Sequence, residues 1–121
     1  MKTRAQEWSR RAFAAVLRQK GKDGAAKYRT ACMKMPGLLH QSGLLQALVF
    51  ETARDDLGER YVRDLAVAYY QDDQADAPRL IGEAQSAQLA GYLQLTRDVS
   101  AVAQWFVRFA QIELAEEDER A

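Results

Sequence analysis

The stretch AQLAGYLQLTRDVSAVAQWFVRFAQIELA, residues 87–115, decides the fold. Leu89, Leu93, Val99, Val102, Phe106, Phe109 and Ile112 follow one another at three- and four-residue steps or their combinations, the period of one face of an α-helix. A helix of this length would run roughly 40 Å, enough to cross a small domain. The segment therefore predicts the spine of an all-α fold. The residues after it, 116–121, are acidic and sit where the helix macrodipole opposes acids, which predicts a frayed C-terminal tail.

Upstream of the spine, QDDQADA (71–77) reads as a loop, Pro78 suits the first turn of a short helix through Leu80 and Ile81, and Ser86 is placed to recap the chain. Asp56 and Glu59 have the spacing of a capping box ahead of RYVRDLAVAYY (60–70), where Val62, Leu65 and Tyr69 share a face. LLQALVFETA (44–53) is apolar on most sides and predicts a helix at the centre of the domain. AAKYRTACMKM (25–35) reads as a helix stopped by Pro36 and Gly37, with a short segment around Leu38 and Leu39 leading to Gly43.

The first helix should start at Thr3, which forms a capping box with Gln6, and end near Lys20. Trp8, Ala12 and Val16, flanked by Phe13 and Leu17, make its core stripe. Gly21 and Gly24 bracket Lys22 and Asp23 in a turn, so the first two helices are expected to form a hairpin. No strand alternation or internal repeat emerges. The expectation is a compact single-domain bundle of about five to seven helices over 1–115.

Composition supports this. The chain has 121 residues, 48% of them hydrophobic, enough for one core. Two prolines, no Asn and many Ala, Leu, Gln, Glu and Arg favour helix, because these side chains lose little rotamer freedom there. One cysteine, Cys32, permits no internal disulfide, MKTRAQEWSRRAF has no apolar leader core, and no run approaches the roughly 18 apolar residues of a membrane span. A soluble cytoplasmic protein without a membrane partner is expected.

Catalytic chemistry has little to stand on. His40 is the only histidine and lies beside a turn, and Cys32 sits among Ala31, Met33 and Met35 as a small hydrophobe would. Asp55, Asp56 and Glu59 are explained by helix capping, and neither a P-loop nor a dinucleotide fingerprint occurs. No enzyme, metal, cofactor or small-molecule substrate is expected.

The net charge of zero conceals a division. Residues 1–40 hold ten Lys and Arg against two acids, whereas residues 41–121 hold seven against fifteen. Arg4, Arg11 and Arg18 stand seven apart, one row on a helix, and Lys27 and Lys34 repeat the spacing, with Lys20 and Lys22 in the turn between. Steps of about 10.5 Å suit phosphates of an extended strand and carry no base code. These seven residues are the candidate set for binding a nucleic-acid strand through its phosphates. Tyr28, between Lys27 and Arg29, fits a core or boundary position better than a base-stacking platform. The competing reading of the charge division is two halves that neutralise each other in the fold.

TRAQEWSRRAF (3–13), KYRTACMKMPGLLHQSGLLQALVF (27–50) and GYLQLTRDVSAVAQWFVRFAQ (91–111) together resemble the small subunit of the Cmr, or type III-B CRISPR, effector complex. The last block carries most of it, through Tyr92, Leu93, Leu95, Thr96, Arg97, Trp105, Arg108, Phe109 and Ala110 in order and spacing, while Val107 departs from the family's tendency to a basic residue. The resemblance implies a non-catalytic helical subunit stacked along the effector filament in antiviral defence. Its partners would be other Cmr subunits, neighbouring copies of itself, and guide and target RNA without sequence preference. The motif positions would serve packing or partner contact. The alternative is a helical protein–protein adaptor with no direct RNA contact.

Overall fold

Six α-helices order the chain in a computed structural model that describes residues 1–114: α1 (Arg4–Gln19), α2 (Ala25–Ser42), α3 (Leu44–Arg54), α4 (Asp56–Tyr70), α5 (Ala77–Ser86) and α6 (Leu89–Glu113). No strand occurs among the described residues. The expected tail at 116–121 and the last expected helical residue, Ala115, lie outside them.

Local chemistry sets several of these boundaries. Thr3 and Gln6 close the capping box, the Thr3 hydroxyl accepting from the Gln6 N–H at 3.1 Å and the Gln6 side chain accepting from the Thr3 N–H at 2.8 Å. Asp76 caps α5 through the Arg79 N–H, with Pro78 in the first turn. The cap of α4 is one residue earlier than expected. Asp55, in extended backbone, accepts from the Gly58 N–H at 2.8 Å, and that bond holds its carboxyl below the ordinary range. Ser86 does not recap the chain. Its hydroxyl donates back to the Gly82 carbonyl at 2.9 Å as the last residue of α5.

Pro36 does not stop α2, which continues to Ser42 and ends at Gly43, where φ is +81°. A helix-interior proline costs about 3 kcal/mol. Met35 and Leu39 flank it on the stripe that begins with Tyr28, Ala31 and Cys32, and all five are buried. Burying two such side chains contributes about 1.5–3 kcal/mol each, which offsets the lost hydrogen bond.

α1 and α2 do not pair as a hairpin; they scarcely touch, and α4 and α6 pack against both. Gly21, with φ +79°, turns the chain so that the two stripes face those helices instead. α1 and α6 lie side by side and parallel: Arg4 meets Asp98, Phe13 meets Phe109 and Lys20 meets Glu113 as both advance.

The centre is α4 rather than α3. It contacts the other five helices and buries Tyr61, Val62, Asp64, Leu65, Ala66 and Ala68, whereas α3 leaves Val49 and Phe50 exposed. Tyr61 stands edge-on to Tyr28 of α2 and to Phe106 of α6, with centroids 5.9 and 5.4 Å away. Gly58 lets α4 press on the α3 backbone, since a Cβ there would run into the Glu51 carbonyl. Two expected stripes prove mixed. Trp8, Ala12 and Val16 are buried while Phe13 and Leu17 are exposed, and on α6 Val99, Val102 and Phe106 are buried while Leu89, Leu93 and Ile112 face outward. Helix packing here buries one narrow face, and the flanking apolar residues fall outside it.

Candidate functional site

The basic row of α1 exists as a row, but it is laid against acids from the other half of the chain. Arg4 reaches Asp98 of α6 at 3.4 Å and lies over the Trp8 ring. Arg11 donates to Asp73 in the α4–α5 connection at 2.7 Å, Arg18 stands 3.9 Å from Asp64 of α4, and Lys20 donates to Glu113 of α6 at 2.9 Å. Each of these pairs joins a solvent-exposed side chain to one that is largely buried, and the acids lower the positive potential along the row. Lys22, Lys27 and Lys34 are exposed, and none of them forms an ion pair among the described residues. The structure thus divides the seven candidates into four paired and three unpaired cations.

Tyr28 offers no stacking platform. Its ring is fully buried and its hydroxyl donates to Asp64 at 2.7 Å. Burial raises the Asp64 carboxyl above its ordinary value of 3.8, even though the Tyr28 bond and Arg18 pull it down. Between that value and the raised one the folded state holds a proton that the unfolded state has released, so Asp64 stabilises less as pH rises through the window. Asp64→Asn should keep the Tyr28 bond and remove this dependence. In urea titrations its stability advantage over wild type is expected to grow from about pH 4 upward and then level off. A difference that does not change with pH would refute the assignment.

The motif residues of α6 turn out to have distinct structural tasks. The Tyr92 hydroxyl accepts from the Leu45 N–H at 3.0 Å, supplying the cap that Gly43 cannot give to the start of α3. Thr96 bonds back to the Tyr92 carbonyl, Leu95 and Ala110 are buried, and Arg97 donates to Gln94. Trp105 stacks on Phe109 at 5.9 Å and Phe109 meets Phe13 edge-on at 5.1 Å. These three rings, Trp105 and Phe109 half-buried and Phe13 exposed, form an apolar strip along the α1–α6 seam, and Leu17 and Ile112 are exposed further along the same two helices. Leu93 and Arg108 are exposed. Sequence reasoning misses this strip because apolar periodicity assigns Phe13 and Leu17 to the core; their place off the Trp8–Ala12–Val16 line is the available signal.

Cys32 is fully buried and its thiol is pushed far up by that burial, which leaves it without nucleophilic character. His40 is exposed at the end of α2, over a cleft of about 490 Å³ lined by Pro36, Leu39, Thr96, Ser100, Ala101 and Gln104, and no carboxylate is among those residues to orient it. Among the described residues no three His, Cys, Asp or Glu side chains are grouped to hold a metal, and no helix is long and apolar enough to cross a membrane.

Known proteins resemble the whole of this arrangement. The family model for the CRISPR-associated protein (Cas_Cmr5) matches residues 4–113. The CRISPR system Cmr subunit Cmr5 of Thermus thermophilus is 40% identical over 113 residues, which cover 92% of this chain and 96% of that protein. The crystal structure of a CRISPR-associated Cmr5 family protein from Thermus thermophilus matches with a TM-score of 0.87 at 37% identity, over 94% of this chain and all of that one.

Proposed function

Since the chain belongs to the Cmr5 family of CRISPR-associated proteins, we propose that it is a non-catalytic subunit of a type III-B CRISPR Cmr complex, stacked in the effector filament beside the guide and target RNA. The single observation that carries this reading is the match to Cmr5 over nearly the full length, in sequence and in fold. On this reading its partners are the other Cmr subunits and neighbouring copies of itself, and it meets RNA through phosphates alone. The three unpaired lysines, Lys22, Lys27 and Lys34, are the primary RNA-facing cations, and Arg4, Arg11, Arg18 and Lys20 join them only where a phosphate replaces an acid. Sequence is then read by base pairing with the guide and not by this subunit.

A second reading, a protein–protein adaptor without RNA contact, is favoured by one feature: the exposed strip of Phe13, Leu17 and Ile112 beside Trp105 and Phe109. Apolar seams of this kind mark protein contacts, which this reading requires and RNA contact does not. Co-expression with the other Cmr subunits of its own genome tests the proposal. The chain is expected to elute with them in one particle, and the isolated chain to leave RNA uncut with Mg²⁺ or Mn²⁺. A particle that forms without it and excludes it when it is added would overturn the reading.

A further inference from the structure

We infer that a cleft beside the middle of α1 is a binding site for one phosphate group, held by Arg11 between Arg10 and Arg18, and that Asp73 is its built-in competitor. The cleft, about 190 Å³, is lined by Arg10, Arg11, Ala14, Arg18, Val67 and Asp73. Clefts for drug-sized ligands run from about 300 Å³ upward, so this one suits an oxyanion rather than a ring system. Three of its six lining residues are arginines of one helix, gathered by their spacing around the small Ala14.

The state of Arg11 is the second observation. Its guanidinium engages Asp73 through Nη1 alone, while its Nε is buried and donates to nothing. An arginine matched to an oxyanion uses two parallel N–H groups, and a buried donor left unmet is unfavourable. The present contact is therefore an incomplete version of the one a phosphate would make. Asp73 can yield: its side chain is 82% exposed, and it lies in the connection after Gln71, outside any helix. The flanking cations are bound elsewhere, Arg10 to Glu7 and Arg18 weakly to Asp64, so Asp73 is the one carboxylate within the cleft lining.

The inference deepens the RNA-path reading, and rests on it only for the source of the phosphate. RNA affinity is measured on the assembled complex and phosphate binding on the isolated chain, so either can fail alone. The test follows the Arg11 Nε–H signal by NMR while the full chain is titrated with inorganic phosphate, uridine monophosphate or a short single-stranded RNA, at constant ionic strength in chloride. A saturable shift of that signal is expected. Arg11→Gln should weaken binding by about tenfold or more, as loss of charge-assisted hydrogen bonds implies. Asp73→Asn, an exposed change that leaves the fold intact, should tighten it by up to about fivefold. Saturation by RNA at much lower phosphate concentration than by the monophosphate would identify a nucleic-acid backbone as the ligand, and an equal response would identify free phosphate. A shift that chloride reproduces, no saturable shift, or an Asp73→Asn chain that binds no tighter than wild type would overturn the inference.

Discussion

Phe106→Ala is expected to lower the unfolding free energy by about 3–5 kcal/mol, because truncating a fully enclosed ring loses its burial and leaves a cavity. Phe106 is completely buried and supports Tyr61 edge-on, and Tyr61 in turn supports Tyr28, so the cavity would open where α2, α4 and α6 meet. Trp105→Ala and Phe109→Ala should cost about half as much, since each ring already keeps part of its surface in solvent on the α1–α6 seam. Urea denaturation of the three variants checks the order. Equal losses at all three positions would mean that the seam is as closed as the core.

Arg54→Ala is expected to be as damaging, about 3–5 kcal/mol, for a different reason. Glu51 is completely buried, and its carboxylate accepts three hydrogen bonds from the Arg54 side chain at 3.2 Å, while Arg54 also reaches Asp55 at 3.1 Å. The arginine thus ties a buried charge to the residue that caps α4, directly beside the close approach of Gly58 to the Glu51 backbone. Removing it leaves the charge enclosed without a partner. The double variant Glu51→Leu with Arg54→Ala should recover much of the loss, because an apolar side chain needs no partner there. A double variant no more stable than Arg54→Ala, measured by the same denaturation, would mean that Arg54 acts through packing alone.

Features carried by neighbouring residues are legible in the sequence. The Thr3–Gln6 box, the Gly21–Gly24 turn, Pro78 in the first turn of α5 and the long helix α6 all appear where local chemistry puts them. Pro36 misleads because its local cost is outweighed by the burial of Met35 and Leu39, which depends on helices far along the chain. The packing of α1 and α2 on α4 and α6, instead of on each other, is likewise a property of the tertiary fold. Phe13 and Leu17 show the limit of apolar periodicity, which marks a face but not how much of it a neighbour covers.

The candidate site is legible in the same partial way. The basic residues and their heptad spacing stand in the sequence, but their partners do not: Asp98 lies 94 residues from Arg4, and Asp73 lies 62 from Arg11. Those pairings also govern how the surface can be probed. Replacing Arg4, Arg11 and Arg18 with Glu would set like charges against Asp98, Asp73 and the buried Asp64, so lost function would be confounded with lost stability. Lys22, Lys27 and Lys34 carry no such partner among the described residues, and their charges can be removed without that penalty.

The most direct measurement of the proposed role is target-RNA affinity as a function of salt, for Cmr complexes of equal composition assembled with wild-type chain or with Lys22, Lys27 and Lys34 changed together to Gln. Neutralised phosphates release counterions, so each phosphate of a single strand that is no longer neutralised should flatten the logarithmic salt slope by up to about 0.7, and three should flatten it by up to about 2. Affinity at low salt should fall with it, equally for targets of different sequence, because phosphate contacts carry no base information. That result would place this face of the subunit on the RNA path. Superimposable curves for the two complexes would contradict the account and leave the chain as an adaptor that touches only protein.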